Sequence, residues 1–435
     1  MPASVAPDYP LNLRCLKECK MGKTLNLLTV LAVLVSGSPR AHGQTGCEGD
    51  INGDGQVNGV DLAVVLTSWG TCTVGASIDG VFPSRGPVAG GTPIAIVGVD
   101  LGATASVTIG GVLVPKFNVV SPTVVTAVTP PGTVGPKELV LRNSQGQQIA
   151  SGSFLYAITS LQWATVLEQE ADPAVVTNSA LRTAIAATGL PWRVRDNGTG
   201  IEMLLVPPGT FDMGCILGSD SYGCFPSELP VHTVTLTNAF YVGRYEVTQA
   251  QWQAKMGSNP SWFQPPNTAM ADTNRPVETV SWNAIQAFLS ATGLRLPTEA
   301  EWEYACRAGT TTPYHSGPGF PNGTTNDNLV SEIAWWGGWC CGGNSGSVTH
   351  AVGTKAANAL GVHDMLGNVW EWCNDWYSSY SSAAQTNPAG PASGPYRVLR
   401  GGSWEGFADG VRSSNRGITP GSPDGHVGFR VARNP

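Results

Sequence analysis

Glycine and proline interrupt every periodic stretch of this chain, which limits the folds open to it more than any other feature. The chain contains 54 glycines and 32 prolines in 435 residues. Both residues weaken helix interiors, so long coiled coils and helical repeats are excluded. Disorder is also excluded, because 42% of the residues are hydrophobic and 14 are tryptophan. We expect two or three modules with much irregular structure.

The charge balance narrows the choice of partners. Charged residues make up 13% of the chain, and the formal net charge is −7. A chain without a basic stripe cannot displace the counterions of phosphates, so nucleic acid is not expected as a partner.

The N-terminus has the pattern of an export signal. Met21 opens a short basic stretch, residues 25–35 are apolar, and residues 41–43 offer small side chains for cleavage. We assign residues 1–43 to the signal region, with translation starting at Met1 or Met21. The apolar run is too short for a membrane anchor, the alternative interpretation. The protein is therefore expected to be secreted or at the cell surface, with no membrane span after signal removal.

Export favours disulfides among the ten cysteines. Two pairs are close enough in sequence to be candidate bridges, namely Cys47 with Cys72 and Cys215 with Cys224. The sequence leaves open how the other four cysteines pair, and they could instead be inert buried thiols: Cys306, Cys340, Cys341 and Cys373.

Residues 50–61 have the oxygen spacing of an EF-hand calcium loop. Gly55 stands at the sharp turn, and an acidic turn without metal is the alternative interpretation. The loop resembles one repeat of a dockerin, so we assign residues 44–76 to a short EF-hand-type calcium module. The candidate ligands are Asp50, Asn52, Asp54, Gln56, Asn58 and Asp61.

Residues 77–157 alternate β-branched runs with turn signals. Strands are expected at 93–98, 105–111, 123–128 and 138–141, which favours a small β-sandwich. Together with the closing SFLY at 153–156, the pattern resembles an IPT/TIG domain, which implies an immunoglobulin-like fold. Residues 158–200 are expected to form a linker with a helix near 179–187.

Three helices of the C-terminal half can be placed from their ends. Thr248 with Gln251 and Thr298 with Glu301 have the spacing of capping boxes. Ser281 can cap a third helix, and Gly257 and Gly293 are expected to end the helices that begin at 248 and 281.

Six ordered segments then carry a family resemblance. They are MLLVPPGTFDMG at 203–214, EVTQAQW at 246–252, RLPTEAEWEYA at 295–305, GNVWEW at 367–372, RGGSW at 400–404 and GFR at 428–430. Residues 201–435 thereby resemble the formylglycine-generating enzyme (sulfatase-modifying factor) family. The implied fold is α+β and C-type-lectin-like, with much irregular structure. The fold class is therefore multidomain.

The resemblance also implies an oxidoreductase chemistry that this chain is not expected to retain. Enzymes of the family oxidise a sulfatase cysteine with O₂ and a copper ion held by two thiolates after the Gly-Gly-Ser segment. Here no cysteine follows Cys373, so copper and catalytic residues are not expected. An iron site is not expected either, because the six histidines are scattered.

The family's structural calcium sites are better matched. The second site falls on Asp364, Gly367, Val369 and Glu371, where ordinary turn carboxylates are the alternative. The first site falls on Asn328, Leu329, Asn344 and Gly346, where Asn344 replaces the usual Asp. Calcium is thus the expected cofactor, in a structural role.

The resemblance also places a candidate substrate groove on Trp404, Glu405, Asn415 and Arg416. An aromatic run at Trp335, Trp336 and Trp339 could bind sugars or peptide, with core packing as the alternative.

Two functions of different classes follow, with a purely structural scaffold as a third. The preferred hypothesis is an exported, calcium-stabilised protein whose C-terminal domain recognises a protein or glycan ligand at the cell surface. The alternative is an active oxidase of the formylglycine-generating type with an atypical metal site.

Overall fold

The computed structural model describes residues 75–216, 223–338 and 342–435. Several of the sequence predictions lie outside these residues. They are the signal region 1–43, the calcium loop 50–61, Cys47, Cys72, Trp339, Cys340 and Cys341.

Residues 75–158 form two packed β-sheets, as expected for an immunoglobulin-like domain. The strands are β1 (Ser77–Phe82), β2 (Arg85–Pro87), β3 (Pro93–Val99), β4 (Ser106–Ile109), β5 (Val112–Leu113), β6 (Phe117–Ser121), β7 (Val124–Val128), β8 (Gly135–Arg142) and β9 (Gln148–Ala157). One sheet has the order β1-β3-β7-β6, and the other has the order β2-β9-β8-β4-β5.

The alternating side chains of these strands bury one hydrophobic core. Ile96, Val125, Leu139 and Phe154 are completely buried, because every second residue of a strand points to the same face. The four strands expected from sequence are present as β3, β4, β7 and β8. The sequence did not reveal β2, which pairs with β9 about seventy residues away in sequence.

The C-terminal domain has three sheets, of five, three and four strands, and long irregular segments. Its strands are β10 (Ala164–Glu168), β11 (Arg193–Asp196), β12 (Glu202–Val206), β13 (Gly209–Met213), β14 (His232–Leu236), β15 (Phe240–Gly243), β16 (Trp370–Trp376), β17 (Gln385–Thr386), β18 (Arg397–Arg400), β19 (Arg416–Thr419), β20 (Val427–Gly428) and β21 (Ala432–Arg433). The sheet orders are β10-β11-β12-β15-β21, β13-β14-β17 and β19-β18-β16-β20.

The expectation of a linker over residues 158–200 is wrong. Strands β10 and β11 pair with each other and, through β12, belong to the five-stranded sheet of the C-terminal domain. Burial of the Ala164 and Val194 side chains stabilises the packing of these short strands against the domain. The expected helix lies between them.

Five α-helices are described: α1 (Ser179–Ala187), α2 (Gln249–Met256), α3 (Trp282–Thr292), α4 (Glu299–Arg307) and α5 (Val330–Ile333). The predicted capping boxes at α2 and α4 are both formed, and Ser281 caps α3. Gly257 and Gly293 end α2 and α3 in the left-handed conformation, which glycine adopts without steric cost. These ends are therefore confirmed.

Candidate functional site

Three buried carboxylates meet one guanidinium beside β16. Glu371 accepts hydrogen bonds from Arg430 Nε and Nη2 at 2.7 and 2.6 Å, and from Trp302 Nε1 at 2.7 Å. Asp364 accepts a hydrogen bond from Gly353 N at 2.6 Å. Glu246, just before α2, accepts one from Asn368 Nδ2 at 2.7 Å. The cluster therefore joins four segments that are distant in sequence.

The charges of this cluster are not balanced by Arg430. Burial raises the pKa of Asp364 to about 6. Burial, and then the neighbouring Asp364 and Glu371, raise the pKa of Glu246 well above its usual value. Removing a carboxylate from water disfavours its charged form unless a cation is close. Burial and mutual repulsion therefore favour the protonated forms of Glu246 and Asp364, and a bound cation would favour their charged forms.

The second calcium set fits these residues in part. Asp364 supplies a buried carboxylate, and Gly367 and Val369 lie on the same turn before β16. Glu371, however, already pairs with Arg430, so it can ligate calcium only by sharing its oxygens. Bound calcium would neutralise charge and fix the turn; it would supply no chemistry of its own.

The first calcium set fits less well. The Asn344 side chain accepts a hydrogen bond from Trp336 N and donates to Ser331 O and Ala334 O. The side-chain amide of Asn344 is thus engaged by backbone groups in and just after α5, and its oxygen already accepts a hydrogen bond. Asn328 and Leu329 lie in a short 3₁₀ helix, Asp327–Leu329, and Gly346 takes a left-handed turn.

Two of the four candidate groove residues lie on one face of the domain. Trp404 is half-buried and packs edge-on against Phe263, with ring centroids 5.4 Å apart. Glu405 is exposed, and its carboxylate lies 3.5 Å from His426 Nδ1. Asp424 lies 2.9 Å from the same nitrogen. This acidic group was not found from the sequence, because its members come from separate loops.

Two exposed aromatic side chains lie on the loops joined by the Phe263–Trp404 contact: Trp262 directly precedes Phe263, and Phe407 follows Trp404 by three residues. Trp262 is 56% exposed and Phe407 is 61% exposed. The Trp262 loop is held by Glu278, whose buried carboxylate accepts the backbone N–H groups of Trp262 and Phe263 at 3.0 and 2.9 Å. We call the surface formed by Trp262, Trp404, Glu405, Phe407, Asp424 and His426 the Trp404 face.

The assignment of Asn415 and Arg416 to a surface groove is wrong. Both residues are buried. The guanidinium of Arg416 contacts both carboxylate oxygens of Glu299 at 2.6 and 2.9 Å, and Asn415 Nδ2 donates to Gly410 O at 2.6 Å. Arg416 is thus held by a partner 117 positions away, and Asn415 by a carbonyl of its own loop.

Trp335 and Trp336 of the aromatic run are engaged within the domain. Trp335 stacks on His350 with centroids 3.6 Å apart, and Lys355 Nζ lies 3.9 Å from the same ring. Trp336 packs against the hydrophobic core and donates its Nε1–H to Ser331 Oγ. Packing within the domain therefore accounts for these two side chains.

The described thiols do not fit a two-thiolate copper site. Residues 404–416, which follow Gly-Gly-Ser, include no cysteine. Cys306 reaches this segment and lies 3.5 Å from Ser413 Oγ, but burial raises the pKa of its thiol to about 12. Cys373 is buried as well, and burial raises its pKa well above the usual value. Cys215 and Cys224 are joined in a disulfide.

The fold and these segments define a sulfatase-modifying factor domain that follows an immunoglobulin-like domain. Residues 176–435, more than half of the chain, match the sulfatase-modifying factor enzyme 1-like domain, and residues 76–158 match the IPT/TIG domain. The chain belongs to the sulfatase-modifying factor family. Both domain predictions from the sequence are thereby confirmed, whereas the dockerin-like module stays a prediction.

Relatives cover the C-terminal half of the chain. The formylglycine-generating enzyme of Streptomyces coelicolor is 31% identical over an alignment of 296 positions, which covers 53% of this chain and 88% of that protein. The serine/threonine-protein kinase pkn1 of Chlamydia pneumoniae is 31% identical over 258 residues, but only 38% of that protein is covered. Among solved structures, Treponema denticola variable protein 1 is 31% identical with a TM-score of 0.46, covering 54% of this chain and 95% of the other.

Within residues 75–216, 223–338 and 342–435, no helix combines the length and the hydrophobicity that crossing a bilayer requires.

Proposed function

We propose that this protein is an exported, calcium-stabilised recognition protein whose sulfatase-modifying factor domain binds a ligand on the Trp404 face. The observation that carries this proposal is that Trp262 and Phe407 are exposed on the two loops that the Phe263–Trp404 ring contact joins, one of which also carries Glu405. Exposed aromatic side chains are costly to keep in water and are enriched where proteins bind ligands.

The chemistry of the Trp404 face suits a protein or glycan ligand. Aromatic rings stack on the apolar faces of sugars or on peptide side chains, and carboxylates accept hydrogen bonds from hydroxyl or ammonium groups. The buried Glu278 fixes the loop that presents Trp262, so part of the face is held in place before a ligand arrives. A preorganised face loses less entropy on binding.

Two further features support recognition in place of catalysis. The segment after Gly-Gly-Ser is held by the buried guanidiniums of Arg400, Arg412 and Arg416, which do not ligate metals. The IPT/TIG domain, and the calcium loop and export signal proposed from the sequence, are accessory modules suited to a surface protein.

The proposal is tested by binding assays on glycan and peptide arrays. The double variant Trp262→Ala/Phe407→Ala is expected to lose at least tenfold in affinity for any ligand that the unmodified chain retains. Phe82→Ala, which changes an exposed aromatic of the IPT/TIG domain, is the matched control. Unchanged binding by the double variant would contradict the assignment of the Trp404 face.

The alternative function is an oxidase of the formylglycine-generating type. It is favoured by one observation, the 31% identity over 88% of the Streptomyces coelicolor enzyme. The test supplies Cu(I), O₂ and a peptide with a sulfatase-type cysteine, and follows peptide mass together with O₂. We expect neither conversion to an aldehyde nor peptide-dependent O₂ uptake. Conversion would overturn the non-catalytic assignment and direct attention to the remaining cysteines.

A further inference from the structure

Two sulfur atoms and one buried carboxylate converge in the part of the C-terminal domain that follows β13. Cys215 Sγ, Cys224 Sγ and a carboxylate oxygen of Glu228 all lie within 4.8 Å of one another. Cys215 is buried, Cys224 is half-buried, and Glu228 is fully buried. The Pro226–Glu228 turn holds Glu228 in place, because its carboxylate accepts the backbone N–H of Phe225 at 2.9 Å.

Arg412 completes the group. Its Nη2 lies 3.0 Å from Glu228 Oε1, and its Nη1 lies 3.7 Å from Cys215 Sγ. With the disulfide closed, the carboxylate and the guanidinium neutralise each other. Opening the disulfide yields two thiols, and their ionisation to thiolates would add two negative charges to a buried site, which a cation of charge +2 would neutralise. We propose that Cys215, Cys224 and Glu228 form a redox-controlled site for a thiophilic divalent cation such as zinc.

The ligand set matches zinc chemistry. Zinc takes sulfur and carboxylate oxygen in a tetrahedral arrangement, with water in a fourth position when the protein supplies three ligands. The Cα atoms of the two cysteines are 5.5 Å apart, so their sulfur atoms can move from bonding distance to the separation of two ligands on one metal with little backbone change. Glu228 is already beside them.

The exchange requires a reductant, which we take to be a small dithiol. One dithiol thiolate attacks the more accessible Cys224 Sγ, the S–S bond breaks, and Cys215 leaves as a thiolate beside Arg412, which stabilises its charge. The second dithiol sulfur then attacks the mixed disulfide and releases Cys224. The dithiol becomes a cyclic disulfide, two protons are released, and the two protein thiolates bind the cation.

The test uses the full chain and zinc alone as the probe. The protein is reduced with a dithiol, freed of reductant, and treated with iodoacetamide in the presence or absence of zinc. Mass spectrometry then follows each cysteine. We expect zinc to slow the alkylation of both Cys215 and Cys224 at least tenfold, and expect no zinc binding at this site before reduction. Equal alkylation rates with and without zinc would overturn the proposal, as would protection confined to other cysteines.

Variants distinguish the loss of a zinc ligand from a general loss of folding stability. Glu228→Gln is expected to weaken zinc binding by about tenfold or more in a chelator competition, and Cys224→Ser is expected to abolish binding at this site. Cys306→Ser, which changes a buried thiol outside the group, should leave affinity unchanged. Because Glu228→Gln could disturb folding, circular dichroism accompanies each variant, and the alkylation assay on the unmodified chain remains decisive. Zinc affinity that is equal in Glu228→Gln and the unmodified chain would remove Glu228 from the ligand set.

Discussion

Arg400 ties the segment after Gly-Gly-Ser to helix α4. Its guanidinium is fully buried, pairs with the Glu303 carboxylate, and donates to the carbonyl groups of Ser413, Ser414 and Asn415. Burial alone would raise the pKa of Glu303, but Arg307 and Arg400 outweigh it, and the pKa is lowered. In this chain the segment is therefore stabilised by buried ion pairs.

Asp375 should make stability depend on pH in a predictable direction. Burial, and then the neighbouring Glu299 carboxylate, raise its pKa to about 8, whereas in the unfolded chain it titrates near 4. Between these values folding takes up a proton, so stability is lost as pH rises from about 4 to 8. Asp375→Asn removes that loss and can still accept the N–H of Glu299. We expect the free energy of unfolding of the variant, relative to that of the unmodified chain, to be about 1–3 kcal/mol higher at pH 8 than at pH 4.

Urea unfolding at pH 4, 6 and 8 measures this difference. Glu332→Gln, which changes an exposed carboxylate in helix α5, is the matched control. A difference between Asp375→Asn and the unmodified chain that does not change with pH would contradict the assignment.

Single residues were predictable from the sequence where their role is local. The arginines and glutamates of the ion network were visible as residues, but their burial was not. Arg416 is drawn inward by Glu299, 117 positions away, and Glu246 meets Asn368 across 122 positions. A pairing over such distances has no spacing that a sequence pattern can reveal.

Helix ends, too, were predictable where nearby side chains determine them and were missed where they do not. The starts of α2, α3 and α4 follow from side chains within three residues, and the structure confirms them. The end of α4 was not predicted, because Ala308 adopts the left-handed conformation with φ 47°, where glycine is usual. The short strands β17 and β20 were missed as well, since two-residue strands depend on partners far along the chain.

The capping box of α4 is expected to stabilise the folded domain by a measurable amount. Thr298 Oγ1 accepts the N–H of Glu301 at 3.1 Å, and Glu301 Oε2 accepts the N–H of Thr298 at 2.9 Å. Thr298→Ala removes the first bond and is expected to cost about 1 kcal/mol.

Thermal unfolding checks this value against Thr183→Ala. Thr183 is an exposed interior residue of α1, where alanine is expected to be neutral or to stabilise by a few tenths of a kcal/mol. Equal changes for the two variants would show that the cap contributes nothing specific.

The whole C-terminal domain depends on a few long-range clusters, because its sheets are small and much of its chain is irregular. One hydrophobic cluster runs from β10 to β21, which is why residues 158–200 belong to the domain. The acidic cluster beside β16 joins Glu246, Asp364, Glu371 and Arg430 in the same way. Backbone hydrogen bonds already join these segments, for example from Val247 N to Phe429 O and from His363 N to Arg244 O, and a cation bound there would add a further cross-link.

Calcium dependence is therefore expected to act on the whole domain, and Asp364 is the residue that tests it. Glu371 is a poorer probe, because its loss would also leave Arg430 buried without its partner. With excess calcium the melting temperature of the unmodified chain should rise above its value in chelator, since a ligand that binds the folded state stabilises it.

Asp364→Asn removes a charged ligand and should abolish most of that rise. In chelator the variant should melt no lower than the unmodified chain, because it no longer buries a carboxylate with a raised pKa. Asp272→Asn, which changes an exposed carboxylate, should keep the full calcium response. A calcium response that is equal in Asp364→Asn and the unmodified chain would place the stabilising calcium outside this cluster, where the EF-hand loop predicted at residues 50–61 is the next candidate.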